Sequence, residues 1–315
     1  LKNVYHQDAI VRNLIDAARK VEGIVRHSST HAAGVVISKD SLTRYVPLQR
    51  AARASGDAAV MTQFVMEDIA QIGLLKMDFL GLANLTILRK AREIIKEDRG
   101  VEIDLNRLPM DDSLTFELLS SGETAGVFQL ESAGMRRYIK ELKPHSLEEI
   151  GAMVALYRPG PMEMIPSYIN RKHGQEKVEY LHDLLRPILE ETYGTIVYQE
   201  QVIKIASDVA GFSLGKADIL RRAMGKKKLS EMKKLKDEFI QGAVARGVDA
   251  KIAAEIYDYV EKFASYGFNK SHSAGYALLA YQTAYLKANY PAQFMAASLT
   301  SESGTTDRVE LLIGE

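Results

Sequence analysis

Lys76 and Asp78 stand two residues apart inside GLLKMDFLGL (73–82), a run that is otherwise apolar. In a strand, residues two apart share a face. An ionised carboxylate buried without a partner is unfavourable enough that it pairs, protonates or binds a metal. Two chemistries fit the pair: a half-buried ion pair, or a metal-binding carboxylate beside a cation that contacts phosphate. A second cluster lies in LRRAMGKKKLSEMKKLK (220–236), where Arg221, Arg222, Lys226, Lys227, Lys228, Lys233, Lys234 and Lys236 face one acid, Glu231. Charge runs are ordinarily solvated helix faces. Adjacent arginines at a helix end, with lysines at the turn after Gly225, also make a corner suited to a polyphosphate, which arginine binds bidentately. A third group, Asn269, Lys270, Ser271, His272 and Ser273, stands at the start of an apolar helix. Asn and Ser are natural caps, and a helix start with free backbone donors is also an anion site. The neighbouring Tyr266, Phe268, Tyr276 and Tyr281 suit a hydrophobic core or a base-stacking surface.

Other patterns fall short. GFSLGKAD (211–218) is one residue short of a phosphate-binding loop, and Ala217 stands where that loop carries a metal-binding hydroxyl. This argues against an NTP hydrolase. His27 and His31 are four apart, but the SST between them lacks the glutamate of a zinc protease motif. No Asp-x-Asp pair occurs in the sequence.

The elements that must position these groups are a mixed start and a helical remainder. Residues 9–21 place Ile10, Leu14, Ala17, Ala18 and Val21 on one helical stripe, with Gly23 as a stop. GVVIS (34–38) reads as a strand, and LLKMDFLGL as a second, buried strand. Residues 50–59 read as a flexible connection. Asn84 is expected to cap a helix that buries Ile87, Leu88, Ala91, Ile94 and Ile95. Ser146 and Glu149 form a capping box before a run broken by RPGP after Tyr157. Gly211, Gly225, Gly247 and Gly267 punctuate further helices. The last two helices are expected at 273–289 and from Pro291 in its first position.

The 315 residues carry 41 basic and 41 acidic side chains, so any nucleic-acid site must be local and not a property of the whole charge. There is no cysteine, which excludes disulfides, thiolate nucleophiles and cysteine-ligated zinc. No apolar span of 18 residues and no signal peptide is evident, and a cytoplasmic protein without a membrane partner is expected. The first residue, Leu1, and the ending DRVELLIGE suggest a piece of something longer.

Taken in order, RHSSTHAAGVVIS, MTQF, GLLKMDFLGL, GVFQLESAGMR, ALYRPGPM, RKHG, TYGTIVYQEQV, LRRAMGKKK and KFASYGFNKSHSAGYALLAYQTAYLKANYPAQFMAA resemble the alpha-subunit family of bacterial DNA polymerase III, the family C replicative polymerases. The resemblance runs nearly continuously from about Val21 to Ser303. It implies a mainly α (α+β) chain: a helical fingers domain preceded by a small mixed remnant of a polymerase beta-like nucleotidyltransferase palm. Residues 1–30 would end the thumb, 31–83 would return to the palm, and 84–315 would be fingers.

The same resemblance gives the candidate residues roles. Asp78 matches the third catalytic aspartate of the family and would help bind one of two Mg²⁺ ions; the two aspartates of an earlier Asp-x-Asp strand are absent from this chain. Lys76 matches an active-site lysine. Arg221 and Arg222 match fingers arginines near the incoming deoxynucleoside triphosphate, with Lys226 beside them. Asn269, Lys270, Ser271 and His272 lie beside the nucleotide pocket, His272 as a candidate for sensing the sugar. Arg158 faces that pocket, and His31 borders the palm site or is structural. Lys227, Lys228, Lys233 and Lys234 are candidates for DNA-backbone contacts. The implied activity is template-directed DNA synthesis by an intact subunit, with the isolated piece inactive. The implied partners are primer-template DNA and, outside these residues, the sliding clamp, proofreading exonuclease and clamp loader. The rival class is a non-enzymatic helical module that binds nucleic acid.

Overall fold

The computed structural model describes residues 2–24, 30, 31, 33–50, 60–225, 229–264 and 266–314. Two compact units divide the chain, Leu1–Gly81 and Leu82–Glu315. Of the connection expected at 50–59, Arg50 ends a strand and 51–59 lie outside the described residues, as do His27 and the lysines 226–228.

The first unit opens with helices α1 (Lys2–Gln7) and α2 (Ala9–Val21). Asp8 caps α2 by accepting from the amides of Ile10 and Val11, satisfying two of the donors a helix start leaves open. The periodicity of α2 gives the expected helix, yet Ile10, Leu14 and Val21 are exposed. Strands follow: β1 (Gly34–Ile37), β2 (Leu48–Arg50), β3 (Val60–Thr62), then helix α3 (Met66–Gln71) and β4 (Leu75–Asp78). β1 pairs antiparallel with β4, which sets Gly34 opposite Asp78 and Val36 opposite Lys76; β2 pairs with β3.

One expectation is corrected here. The 73–82 run contains a strand, but it is not buried: Leu75 is 57% exposed and Phe79 65%. β4 belongs to a two-stranded ribbon, which leaves much of its surface open. Val46 and Ile69 are the buried apolar side chains described in this unit.

Among its described residues, the named elements of the second unit are all helices. It runs α4 (Ala83–Arg99), α5 (Ser113–Ser121), α6 (Ala133–Leu142), α7 (Leu147–Leu156), α8 (Ile165–Lys172), α9 (Arg186–Leu189) and α10 (Gln199–Ala210). It continues with α11 (Leu214–Gly225), α12 (Leu229–Val244), α13 (Ala250–Ala264), α14 (Lys270–Asn289), α15 (Pro291–Glu302) and α16 (Thr306–Ile313). The mainly α fold read from the sequence is present. Local signals explain most boundaries. Asp112 and Ser132 cap α5 and α6, and Gly100 and Gly211 end α4 and α10 in the left-handed region that glycine enters without a Cβ penalty.

Two expected caps differ. Asn84 does not cap α4: Leu82 is the last extended residue, helical backbone begins at Ala83, and Asn84 falls inside the first turn. Ser146 does cap α7, accepting from the Glu149 amide. The Glu149 carboxylate does not close the box; it turns inward to the His145 amide, Lys172 and the Tyr193 hydroxyl.

Three cores fill this unit. One joins α10, α11, α12 and α13 around Phe239 and Tyr257. One joins α5 to α8 with the first half of α14 around Tyr168 and Tyr281. The third sets α4 against α15 and the second half of α14. α14 is therefore covered on several sides, and its polar side chains are spent on distant backbone. Ser273 donates to the Gly151 carbonyl, Gln282 to Leu105, and Lys287 to Glu123 and Ala125. Its start, three residues before the expected 273, follows from Asn269, whose side chain accepts from the His272 amide.

Candidate functional site

In the first unit, the β1–β4 register brings three polar groups over one glycine. The Lys76 ammonium donates to Asp78 Oδ1 at 2.5 Å, and His31 Nδ1 lies 3.9 Å from the same oxygen. His31 Nδ1 also accepts from the Ala33 amide, which fixes the ring beside the strand. A Cβ on Gly34 would stand 2.8 Å from Lys76 Cε and 3.1 Å from both Asp78 Oδ1 and His31 Nδ1. Gly34 is thus the residue that permits the approach. The hydrogen bond from Lys76, with its charge, holds the Asp78 carboxyl below the usual aspartate range despite some desolvation. Asp78 stays ionised at neutral pH, and its Oδ2 has no hydrogen-bond partner among the described residues.

Magnesium takes six oxygen ligands in near-octahedral geometry. Asp78 offers one carboxylate, and among the described residues no group of three His, Asp or Glu side chains converges on a metal position. By themselves these residues do not compose a magnesium site.

In the second unit, the short segment 266–268 gathers residues from four elements. Phe268 forms a parallel bridge with Tyr198, through Phe268 N to Val197 O at 3.0 Å and Gln199 N to Phe268 O at 2.8 Å. Arg158, in the turn after α7, donates through Nη2 to the Tyr266 carbonyl at 2.8 Å and lies 4.5 Å from the centre of the Phe268 ring. Gly160 holds φ +104° against the Tyr266 ring, where a Cβ would come within 2.5 Å. Burial lowers the Arg158 guanidinium pKa from its ordinary value. Phe268 then contacts His272, and His272 contacts Tyr276, with ring centres 5.3 and 4.1 Å apart.

Of the two arginines of α11, Arg221 reaches this segment through Gln199 and Arg222 does not. Arg221 donates through Nε to Asp218 Oδ1 at 2.9 Å, its Nη2 lies 2.8 Å from the same oxygen, and its Nη1 donates to Gln199 Oε1 at 3.2 Å. Arg222 pairs with the other Asp218 oxygen at 2.8 Å and is otherwise exposed. Hydrogen bonds from Arg221 hold the Asp218 carboxyl below its usual range, with the charges of both arginines adding to them. One carboxylate thus holds two guanidinium groups whose side chains leave the helix 100° apart, and it halves the positive charge of the corner.

The 269–273 group is more occupied than its composition suggests. Asn269 is a cap and Ser273 is buried on Gly151. Lys270 binds both Glu191 oxygens at 2.7 Å, and its amide donates to Glu200. Ser271 and His272 remain exposed. A cavity of about 250 Å³ opens beside this helix start, lined by Glu148, Gly151, Glu191, Tyr198, Lys270 and Ser273 among others. Burial pushes the Tyr198 phenol up to about 12.

Arg158 contacts the segment leading into α14 directly, and Arg221 is joined to it through Gln199. Lys233 and Lys234 are not part of that group; they are exposed on α12, Lys234 near Glu238, while Lys236 pairs with Asp258. Lys226, Lys227 and Lys228 lie outside the described residues. Of the residues that complete the cluster, Asp218 had a sequence signal: it precedes Arg221 and Arg222 by three and four positions, the spacing of helical ion pairs. Gln199 had none, because its partners are 22 and 68 residues away.

Compared with known proteins, residues 84–247 match the bacterial DNA polymerase III alpha subunit finger domain. Residues 1–81 match the bacterial DNA polymerase III alpha NTPase domain. The chain is 55% identical over 314 residues to DNA polymerase III subunit alpha of Thermus aquaticus, covering 98% of this chain and 25% of that protein. It is 49% identical over 309 residues to the subunit of the same name from Bacillus subtilis, covering 98% of this chain and 27% of that protein. For the Chlamydia muridarum subunit the identity is 49% over 315 residues, 100% of this chain and 25% of the relative. The chain thus spans about a quarter of the length of these relatives, and it belongs to the bacterial DNA polymerase III alpha subunit family.

Proposed function

We propose that the chain is a palm-and-fingers part of a replicative DNA polymerase that adds deoxynucleotides to a primer 3′ end. Family membership across both units carries this reading. The thumb is assigned to 1–30, the palm to 31–83 and the fingers to 84–315. Asp78 supplies one carboxylate, through its unpartnered Oδ2, to a divalent-metal site whose other ligands lie outside the described residues. When bound, two such ions activate an attacking oxygen and stabilise a leaving one. Lys76 keeps the Asp78 carboxylate ionised and adds a positive charge for phosphate.

In the fingers, Arg221 and Arg222 hold the incoming triphosphate. Fixed cations aimed at phosphoryl oxygens lower the barrier by meeting charge as it develops. Arg158 and Phe268 brace the start of α14, where Ser271 and His272 are exposed toward substrate, and Lys270 is restrained by Glu191. Lys226 is assigned beside Arg221 and Arg222 at the triphosphate, and Lys227, Lys228, Lys233 and Lys234 to the DNA backbone. Primer-template DNA is the substrate; the sliding clamp, exonuclease and clamp loader bind elsewhere in the full subunit. No helix among the described residues is long and apolar enough to cross a membrane, and a cytoplasmic replication complex is the assigned setting.

Replacing Asp78 by Asn in the full-length subunit tests the reading. The change keeps size and removes the charge. Single-turnover incorporation should fall by at least about 10²-fold, a loss typical of one aimed charged or hydrogen-bonding group, while primer-template affinity stays near wild type. Near-normal incorporation would leave Asp78 as the partner in a structural ion pair with Lys76.

A further inference from the structure

Gln199, the first residue of α10, is among the described residues the one side chain that joins Arg221 to the segment leading into α14. Its Oε1 accepts from Arg221 Nη1 at 3.2 Å and its Nε2 donates to the Gly267 carbonyl at 3.0 Å. An amide carries donor and acceptor on one planar group. A guanidinium can only donate and a carbonyl can only accept, so a single orientation of the Gln199 amide satisfies both. Glutamate could not donate to Gly267, and lysine could not accept from Arg221.

The Arg221 guanidinium has five N–H groups. Asp218 accepts from Nε and its Oδ1 lies 2.8 Å from Nη2, while Gln199 accepts from Nη1. At least one N–H on each terminal nitrogen is then left over, and a guanidinium with donors on both can bind a phosphate through two oxygens. Asp218 lies on the same helix as Arg221 and cannot report the position of α14. Gln199 can, because its own amide also holds the Phe268 carbonyl at 2.8 Å, and Gly267 packs so closely that a Cβ there would stand 3.2 Å from Gln199 Cγ.

We propose that Gln199 is a positioning residue for nucleotide use: it sets the direction of the Arg221 fork and locks it to the 266–268 segment, so that the arginine and the start of α14 meet the triphosphate as one surface. This rests on the assignment of Arg221 to the triphosphate.

The test uses the full-length subunit on a primed template, with Gln199→Ala, Arg221→Ala and the double variant. The backbone bond from Gln199 N to Phe268 O survives in all three. Gln199→Ala should raise the KM for the incoming nucleotide about tenfold, the worth of a hydrogen bond to a charged group, with primer-template affinity unchanged. Added to Arg221→Ala it should cost less than a further twofold. A purely structural role would lower kcat through the active fraction and leave KM alone. Gln199→Met, which fills the same volume without polar atoms, should reproduce the KM change even if Gln199→Ala melts early. If Arg221→Ala impairs nucleotide use but Gln199→Ala and Gln199→Met leave KM within twofold of wild type, or their effects add in full to that of Arg221→Ala, the proposal is overturned and the Arg221 assignment stands. If Arg221→Ala itself leaves nucleotide use unchanged, the assignment fails and the proposal with it.

Discussion

Asp112 shows how one side chain in this protein serves two elements. Its carboxylate caps α5 by accepting from the Thr115 amide at 2.9 Å, and accepts from the Asn289 amide group on α14 at 3.1 Å. Desolvation pushes its carboxyl up, but the hydrogen bonds from Thr115 and Asn289 outweigh it and the net shift is downward. A carboxyl lowered in the folded state stabilises the fold fully above the unfolded value, here 3.8, and loses that contribution as pH falls through the folded value. Asp112→Ala should therefore destabilise the chain by about 1–2 kcal/mol at pH 7, the worth of a strong N-cap. In denaturant titrations repeated at successively lower pH, the gap from wild type should narrow below about pH 4. A gap that stays constant into acid would show that the carboxylate charge contributes nothing. Asp78 is lowered by the same logic, but it is solvent-accessible, and its consequence is ionisation at neutral pH and not stability.

At the level of elements, α7, α8 and the turn ending at Tyr193 are tied by a buried ion pair. Glu149 and Lys172 meet at 2.8 Å with side chains 3% and 5% exposed. Lys172 also donates to the Leu142 and Lys143 carbonyls, and Tyr193 donates to the other Glu149 oxygen. Removing one partner of such a pair leaves an uncompensated buried charge, a loss of about 3–5 kcal/mol. Lys172→Met should show that loss in chemical denaturation, and hydrogen exchange should speed first in α7 and α8. A loss under about 1 kcal/mol would mean that water reaches Glu149 and replaces the ammonium. The sequence offered Ser146 and Glu149 as a capping box, and Ser146 obeyed. Glu149 did not: its carboxylate is held by the Lys172 ammonium, the Tyr193 hydroxyl and the amide of His145, one residue before the cap.

At the scale of the whole chain, the two units are unequally self-sufficient. Leu82–Glu315 holds three apolar cores of its own, whereas the described residues of Leu1–Gly81 bury little apolar surface and pair their strands only two by two. Short two-stranded ribbons are marginal without further packing. The sequence holds no Asp-x-Asp pair, so the metal site proposed for Asp78 lacks its other two aspartates here, and the 315-residue chain alone should not extend a primer. Offered primer-template, four deoxynucleotides and Mg²⁺, with Mn²⁺ as a second metal, it should give only background product. Extension that vanished in the Asp78→Asn chain would place a working metal site within these residues.

The sequence by itself determined the local rules: the helical remainder, the caps at Ser146 and Asn269, the stops at Gly211 and Gly247, the Pro291 start and the strand carrying Lys76 and Asp78. These depend on neighbours within a turn or two, so they are legible from spacing. It also marked Arg158, Arg221 and Asn269–Ser273 as candidates, by residue type. That these meet around Tyr266, Gly267 and Phe268 was decided by tertiary structure, because hydrogen bonds spanning 22 to 108 residues leave no periodicity to read. Tertiary structure also decided which polar groups remain available for chemistry. Ser273 and Lys270 carry the same residue-type signal as Ser271 and His272, yet the fold spends them on Gly151 and Glu191. Exposure of the 73–82 strand was settled in the same way, since an apolar run is buried only where a second layer exists to cover it.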